Sequence, residues 1–246
     1  NINQKEVPED AIDSKELTKL ESQPEMIKNA EDVIKKLNLS GGKIAKGTGR
    51  GLDASITPFW SSFGAINKTP KTDVILGDKK ISVKVGNSQI MSGGKAESLA
   101  TFYAALESVP NIIDSPEVKD VLDTFDKFVK KGTTEKDKVG AELKSGENEI
   151  LNDADKAHKE MRTKLGNLFN KSEEFKVAFT KEAMSGYKKF GIDSDASADW
   201  VLSMNKDLSS GNIHHVTDSS YASKIADQMK LTVRFKSTSE KIKQEK

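Results

Sequence analysis

Asp73, Ser82, Lys84 and Glu97 fall within one short stretch, TDVILGDKKISVKVGNSQIMSGGKAES, that otherwise has the pattern of two strands around a tight turn, a glycine-rich loop and the start of a helix. Side chains alternate along a strand, so Ser82 and Lys84 share one face while Ile81, Val83 and Val85 share the other and are expected in the core. A hairpin brings Asp73 of the neighbouring strand towards Lys84, and Glu97, in the first turn of the following helix, can close over the same spot. Two carboxylates and a lysine converging on one place have a definite chemical use. The acids bind a hard divalent cation, which polarises a phosphoryl oxygen and acidifies a bound water. The lysine positions that water and steadies charge on the phosphate. That chemistry is phosphodiester hydrolysis. Taken singly, each residue has a simpler reading: Asp73 as a turn cap, Lys84 as an edge lysine that blocks sheet pairing, Glu97 as a favourable charge at a helix N-terminus.

The elements that must hold these residues follow from periodicity. In PEMIKNAEDVIKKLNL, Met26, Ile27, Ala30, Val33, Ile34 and Leu37 recur at helical spacing, with Pro24 in the first turn and Ser40-Gly41-Gly42 expected to end the helix. GGKIAKGTGRGLD is expected to be a basic loop. SITPFWSSFGAI is apolar and aromatic, a core segment or a cleft wall, with Trp60 and Trp200 expected in the core. TDVILG and KISVKVG around Gly77-Asp78 form a hairpin. AESLATFYAALESV and SPEVKDVLDTFDKFVKK are helices, the second with Ser115 as its N-cap. EEFKVAFTKEAMSGYKKFG is expected as one helix ended by Gly191, DWVLSM and NIHHVTD as strands, SSYASKIADQMK as a helix and LTVRFKS as a last strand. The expected fold class is α/β, with a minority mixed sheet flanked by helices and a charged helical excursion at about 110–171. Residues 1–23 are expected to form a loose arm, 24–240 a single domain and 241–246 a frayed tail.

The same residues resemble the PD-(D/E)xK, or restriction-endonuclease-like, nucleases over about residues 24–108. Pro70-Lys71-Thr72-Asp73 looks like a loosened form of the PD element, and Ser82-Val83-Lys84 stands at the (D/E)xK position with serine in place of the second acid. One branch of type II restriction endonucleases makes that departure, carrying S/T-x-K, twelve or thirteen residues, and then a glutamate from the next helix. Here twelve residues separate Lys84 from Glu97. The resemblance implies a restriction-endonuclease-like core and a Mg²⁺- or Mn²⁺-dependent DNA endonuclease. Asp73 and Glu97 would be metal ligands, Lys84 would serve the attacking water, and Ser82 would be a polar spacer. It further implies a glutamate from the preceding helix in the metal site, for which Glu31 is the candidate, with Glu25 behind it and Glu182 more remote. Enzymes of this kind usually pair to cut both strands, which makes a homodimer the expected assembly, with the helices between 110 and 171 as its interface.

Charge distribution points to the same partner. The 246 residues carry a net charge of +1, yet nine basic and three acidic residues lie between Gly41 and Lys95, a local excess of six that leaves −5 elsewhere. Such a patch fits an anionic partner, DNA or RNA foremost, or else a solvated surface. Lys43, Lys46, Arg50 and Lys71, with Gln89, Ser92 and Lys95 on the loop beside the site, are the candidate DNA contacts. The glycine-rich loop fails as a nucleotide-binding P-loop because Gly47 is followed by Thr48-Gly49 rather than by Lys and Ser/Thr. There is no cysteine, and His158, His214 and His215 make a poor zinc set. No apolar run approaches the length of a membrane span. A cytoplasmic setting, in a bacterial cell or associated with a phage, is the expected location, and Asn1 in place of Met fits either a processed or a trimmed chain. The alternative to an enzyme is a non-catalytic nucleic-acid-binding or virion-associated structural protein on the same scaffold.

Overall fold

The computed structural model describes residues 18–19, 21–39, 45–47, 54–88, 90–91, 94–134 and 149–228. By its internal contacts the chain divides into two compact units, Asn1–Ala104 with Phe179–Lys224, and Ala105–Ala178 with Ile225–Lys246. The first holds the whole sheet. The elements in chain order begin with α1 (Pro24–Lys36), β1 (Ala45–Gly47), α2 (Pro58–Ser62), β2 (Val74–Leu76), β3 (Lys79–Val85) and α3 (Lys95–Ser108). The helices α4 (Pro116–Thr134), α5 (Glu149–Lys171), α6 (Glu173–Ser185) and α7 (Tyr187–Phe190) follow, then β4 (Trp200–Met204), β5 (Gly211–His215) and α8 (Ser219–Gln228).

The five strands form one mixed sheet in the order β1-β2-β3-β4-β5. β1, β2 and β3 run as an antiparallel meander, β3 pairs parallel with β4, and β4 pairs antiparallel with β5. The fold is therefore mixed α/β, as expected. A strand at Ala45–Gly47 replaces the loop expected there, because its backbone groups find a partner in β2. Among the described residues no helix is long and apolar enough to cross a membrane. The expected last strand, LTVRFKS, lies outside the described residues.

One face of the sheet is closed by α1. Ala30, Val33, Ile34 and Leu37 from the expected stripe pack against Leu76, Ile81, Val83, Leu202 and Met204. The approach is close, for a Cβ on Gly211 would fall 2.9 Å from the Val33 side chain and 3.0 Å from the Ser203 carbonyl. The helix ends earlier than Ser40-Gly42, at Asn38, whose φ of 53° is left-handed. The Leu39 N–H donates to the Ile34 carbonyl and the Asn38 N–H to the Lys35 carbonyl, which is the Schellman arrangement with Asn in the usual glycine position. On the other face Tyr221 of α8 stacks on His214 and hydrogen bonds Ser203. Val85 departs from the alternation: it is 39% exposed, since β3 ends there and Gly86 turns away.

In the second unit α4 and α5 pack as a pair, with Val118, Val121, Phe125, Met161, Leu165 and Leu168 buried. Glu117 meets Lys171 while Asp120 meets Lys164. Partners that rise along one helix and fall along the other make the pair antiparallel. Ser115 caps α4 as expected, its Oγ accepting from the Val118 N–H.

Candidate active site

Asp73 sits one residue before β2 and is fixed to β3 at both ends. Its own N–H donates to the Ile81 carbonyl, and its Oδ2 accepts from the Val83 N–H at 2.7 Å and from the Ser82 hydroxyl at 3.2 Å. The alternation of β3 then places Lys84 beside it, with Nζ 3.9 Å from the same oxygen. Ser82 is almost wholly buried. Its hydroxyl orients the Asp73 carboxylate.

Glu97 arrives from the first turn of α3. Trp60, on the short helix α2, packs with Ala65 against Ala100 and Ala104. From there the indole Nε1–H donates to Glu97 Oε2 at 3.0 Å. The Lys189 ammonium reaches the same oxygen at 3.0 Å, and the Asn67 N–H donates to Oε1 at 3.2 Å. Lys189 also reaches Asn67 Oδ1 and lies over the rings of Trp60 and Phe190. Glu97 and Lys189 are both buried, so this is a buried ion pair whose remaining lone pairs and protons are largely satisfied, the condition under which such a pair persists.

These groups meet in one cleft of about 200 Å³. Asp73, Lys84, Glu97, Trp60, Lys71 and Lys189 line it, and Ile90 and Met91 of the glycine-rich loop form part of its wall. The structure thus brings together Asp73, Lys84 and Glu97, with Ser82 behind them. It does not bring Glu31. α1 packs on the sheet face that carries Ile81 and Val83, whereas Lys84 projects from the opposite one, and Glu31 is exposed on that helix and lines no part of the cleft. Glu25 is exposed on the same helix.

The basic patch is less of a surface than its composition implies. Lys80 turns into the protein, donating to the carbonyls of Ile192 and Ser194 and pairing with Asp199. Lys71 turns into the cleft and donates to the Ala183 carbonyl. Its side chain is part-buried in the cleft wall, with protein atoms crowding the ammonium. That desolvation, and then the positive charge of Lys189, pushes it down to about 8. Lys43, Arg50, Gln89 and Ser92 lie outside the described residues, as do the side chains of Lys46 and Lys95.

Sequence reasoning missed Lys189 and saw Trp60 only as core. It also missed the break between α6 and α7. Gly186 adopts a left-handed φ of 66° there, and the Glu182 carboxylate accepts the N–H groups of Lys188 and Lys189 at the start of α7. Desolvation raises Glu182 to about 7, against those two hydrogen bonds and the charge of Lys71. The folded protein therefore keeps a proton on Glu182 that an unfolded chain releases near 4.5. The associated stability is complete below about 4.5 and is lost as pH rises towards 7, a difference on the order of 3 kcal/mol. Glu182→Gln should match the wild type at acid pH and overtake it as pH rises to 7. Urea midpoints measured across that window check this, and two parallel curves would refute it.

A metal would have to be held by few protein groups. Among the described residues no three His, Cys, Asp or Glu side chains form a metal-binding group. Asp73 Oδ1 has no protein partner there, and Glu97 Oε1 accepts one N–H and keeps a lone pair. Two carboxylate oxygens with water and substrate phosphate are the donor set Mg²⁺ commonly takes, since it dehydrates reluctantly. Among the described residues no full protein cage is built. No protein-family model, curated protein or solved structure matches this chain.

Proposed function

We propose that the chain is a Mg²⁺- or Mn²⁺-dependent DNA endonuclease with a restriction-endonuclease-like core, its active site the cleft between the β2–β3 hairpin and the start of α3. The observation that carries the reading is Asp73 held by Ser82 and the Val83 N–H with Lys84 at 3.9 Å, in a cleft that Glu97 also lines. The meander of β1 to β3 followed by α3 and a parallel β4 supports the same core.

A bound cation supplies a polarised phosphoryl oxygen and a water acidic enough to attack near neutral pH. The protein does the rest by position. Ser82 and the Val83 N–H fix one oxygen of Asp73 and leave the other for the ion. Lys84, restrained by Asp73, orients the attacking water and meets negative charge growing on the phosphate. Glu97 is held by Lys189, Trp60 and Asn67, so it reaches the cleft with little freedom left to lose. DNA binds through the lysines around the cleft, and a homodimer presents two such sites to the two strands.

Incubating supercoiled plasmid with the protein in Mg²⁺, Mn²⁺ or EDTA tests this. Conversion to nicked or linear product in either metal, and none in EDTA, is the expected result. Prompt linearisation marks two sites acting together, nicking alone one. The three donors already on Glu97 favour a second reading, a metal-free DNA-binding module, and plasmid retardation without cleavage in all three conditions would establish it.

A further inference from the structure

Lys71 is the one cleft lysine of the three without a carboxylate at ion-pair distance among the described residues. Lys84 has Asp73 and Lys189 has Glu97. The Lys71 ammonium carries three N–H groups, of which one donates to the Ala183 carbonyl at 2.7 Å, near the C-terminus of α6. Lys189 and Lys84 repel it, and Glu182 and Glu97 attract it from beyond ion-pair distance. A charge drawn out of water without an ion-pair partner is expensive unless something completes its hydrogen bonds.

The backbone is also shaped around this side chain. Gly186 follows α6 with a φ of 66°, and a Cβ placed there would lie 2.7 Å from Lys71 Cγ and 3.4 Å from the Phe190 ring. The aliphatic stem of Lys71 therefore occupies the space that any other residue at 186 would fill. The Lys71 N–H donates to the Ala196 carbonyl, which fixes the start of the side chain as Gly186 and Ala183 fix its length and tip. The ammonium is held where it lines the cleft.

We propose that Lys71, held by Gly186 and Ala183, is a phosphate-binding residue inside the cleft, completing its hydrogen bonds on the oxyanion of a bound phosphate independently of any metal. This rests on the reading of the cleft as a phosphodiester site, and it separates two lysine roles. Lys84 acts beside Asp73 where the bond breaks, and Lys71 holds a phosphate group in place. The phosphate is a DNA backbone phosphate or a free one.

The test uses the full chain in EDTA, wild type against Lys71→Met. Inorganic phosphate, compared with chloride at equal ionic strength, should raise the wild-type melting temperature by linkage and leave that of Lys71→Met unmoved. In chloride Lys71→Met should melt no lower than the wild type, because it removes an uncompensated charge, so a lost response is not a lost fold. Binding of a short DNA duplex should weaken by about tenfold in Lys71→Met, with the salt slope shallower by about one. A lost phosphate response with an unchanged DNA slope supports the site and assigns it to free phosphate. Equal phosphate responses in the two proteins overturn it. A phosphate response that depends on Lys71 without metal-dependent plasmid cleavage keeps the anion site and sinks the nuclease. Cleavage with a response indifferent to Lys71 does the reverse.

Discussion

Lys84→Ala should lower the rate of metal-dependent plasmid cleavage by at least about a hundredfold, the scale on which a positioned catalytic side chain acts. The fold should survive, because Lys84 is partly exposed and its contact with Asp73 is long at 3.9 Å. Its neighbours on the strand, Ile81 and Val83, hold β3 in the core without it. DNA binding in EDTA should change little beyond the loss of one charge. Single-turnover cleavage measured beside the circular dichroism spectrum checks both halves. A variant that cuts as fast as the wild type would remove Lys84 from the chemistry, and with it the main support for a nuclease.

Lys189→Met should have the largest effect on stability. It leaves the Glu97 carboxylate buried with only the N–H groups of Trp60 and Asn67, and breaking one side of a buried ion pair costs about 3–5 kcal/mol. For a chain of this length that is a fall in melting temperature on the order of 10 °C. Glu97→Gln in the same chain should recover much of the loss, since the uncompensated charge is then gone. The pair thus gives a double-mutant cycle. Melting temperatures that simply add would show that Lys189 and Glu97 do not depend on each other, contrary to the geometry of the cleft.

What could be read from the sequence was local. The β2–β3 hairpin, the shared face of Ser82 and Lys84, and the place of Glu97 at the start of α3 depend on neighbours a few residues apart, and strand alternation and helix caps carry that information. The partners of Glu97 do not. Lys189 stands 92 positions beyond it, in a Lys-Lys pair between aromatic residues that no spacing links to α3. Glu31 failed for the complementary reason. The helical stripe of α1 was read correctly, but which sheet face the stripe covers is a tertiary fact, and it covers the one facing away from Lys84. Lys80 and Lys71 count as positive charges in any composition, yet one is spent on carbonyls and Asp199 and the other is drawn into the cleft. Asn38 ended α1 before the obvious glycines because it could adopt the left-handed conformation three residues sooner.

The parallel pairing of β3 with β4 orders events during synthesis. β3 is complete at Val85, but its other neighbour begins at Trp200, and Lys189 comes just before it. At about 5–20 residues per second the ribosome needs roughly 6 to 23 s to cross that interval. Through it the nascent chain carries Asp73, Ser82 and Lys84 on an open hairpin, while Glu97 has no lysine to hold it. It follows from the topology that the cleft is not complete before Lys189 and β4 have emerged. Chain order alone therefore delays completion of the cleft.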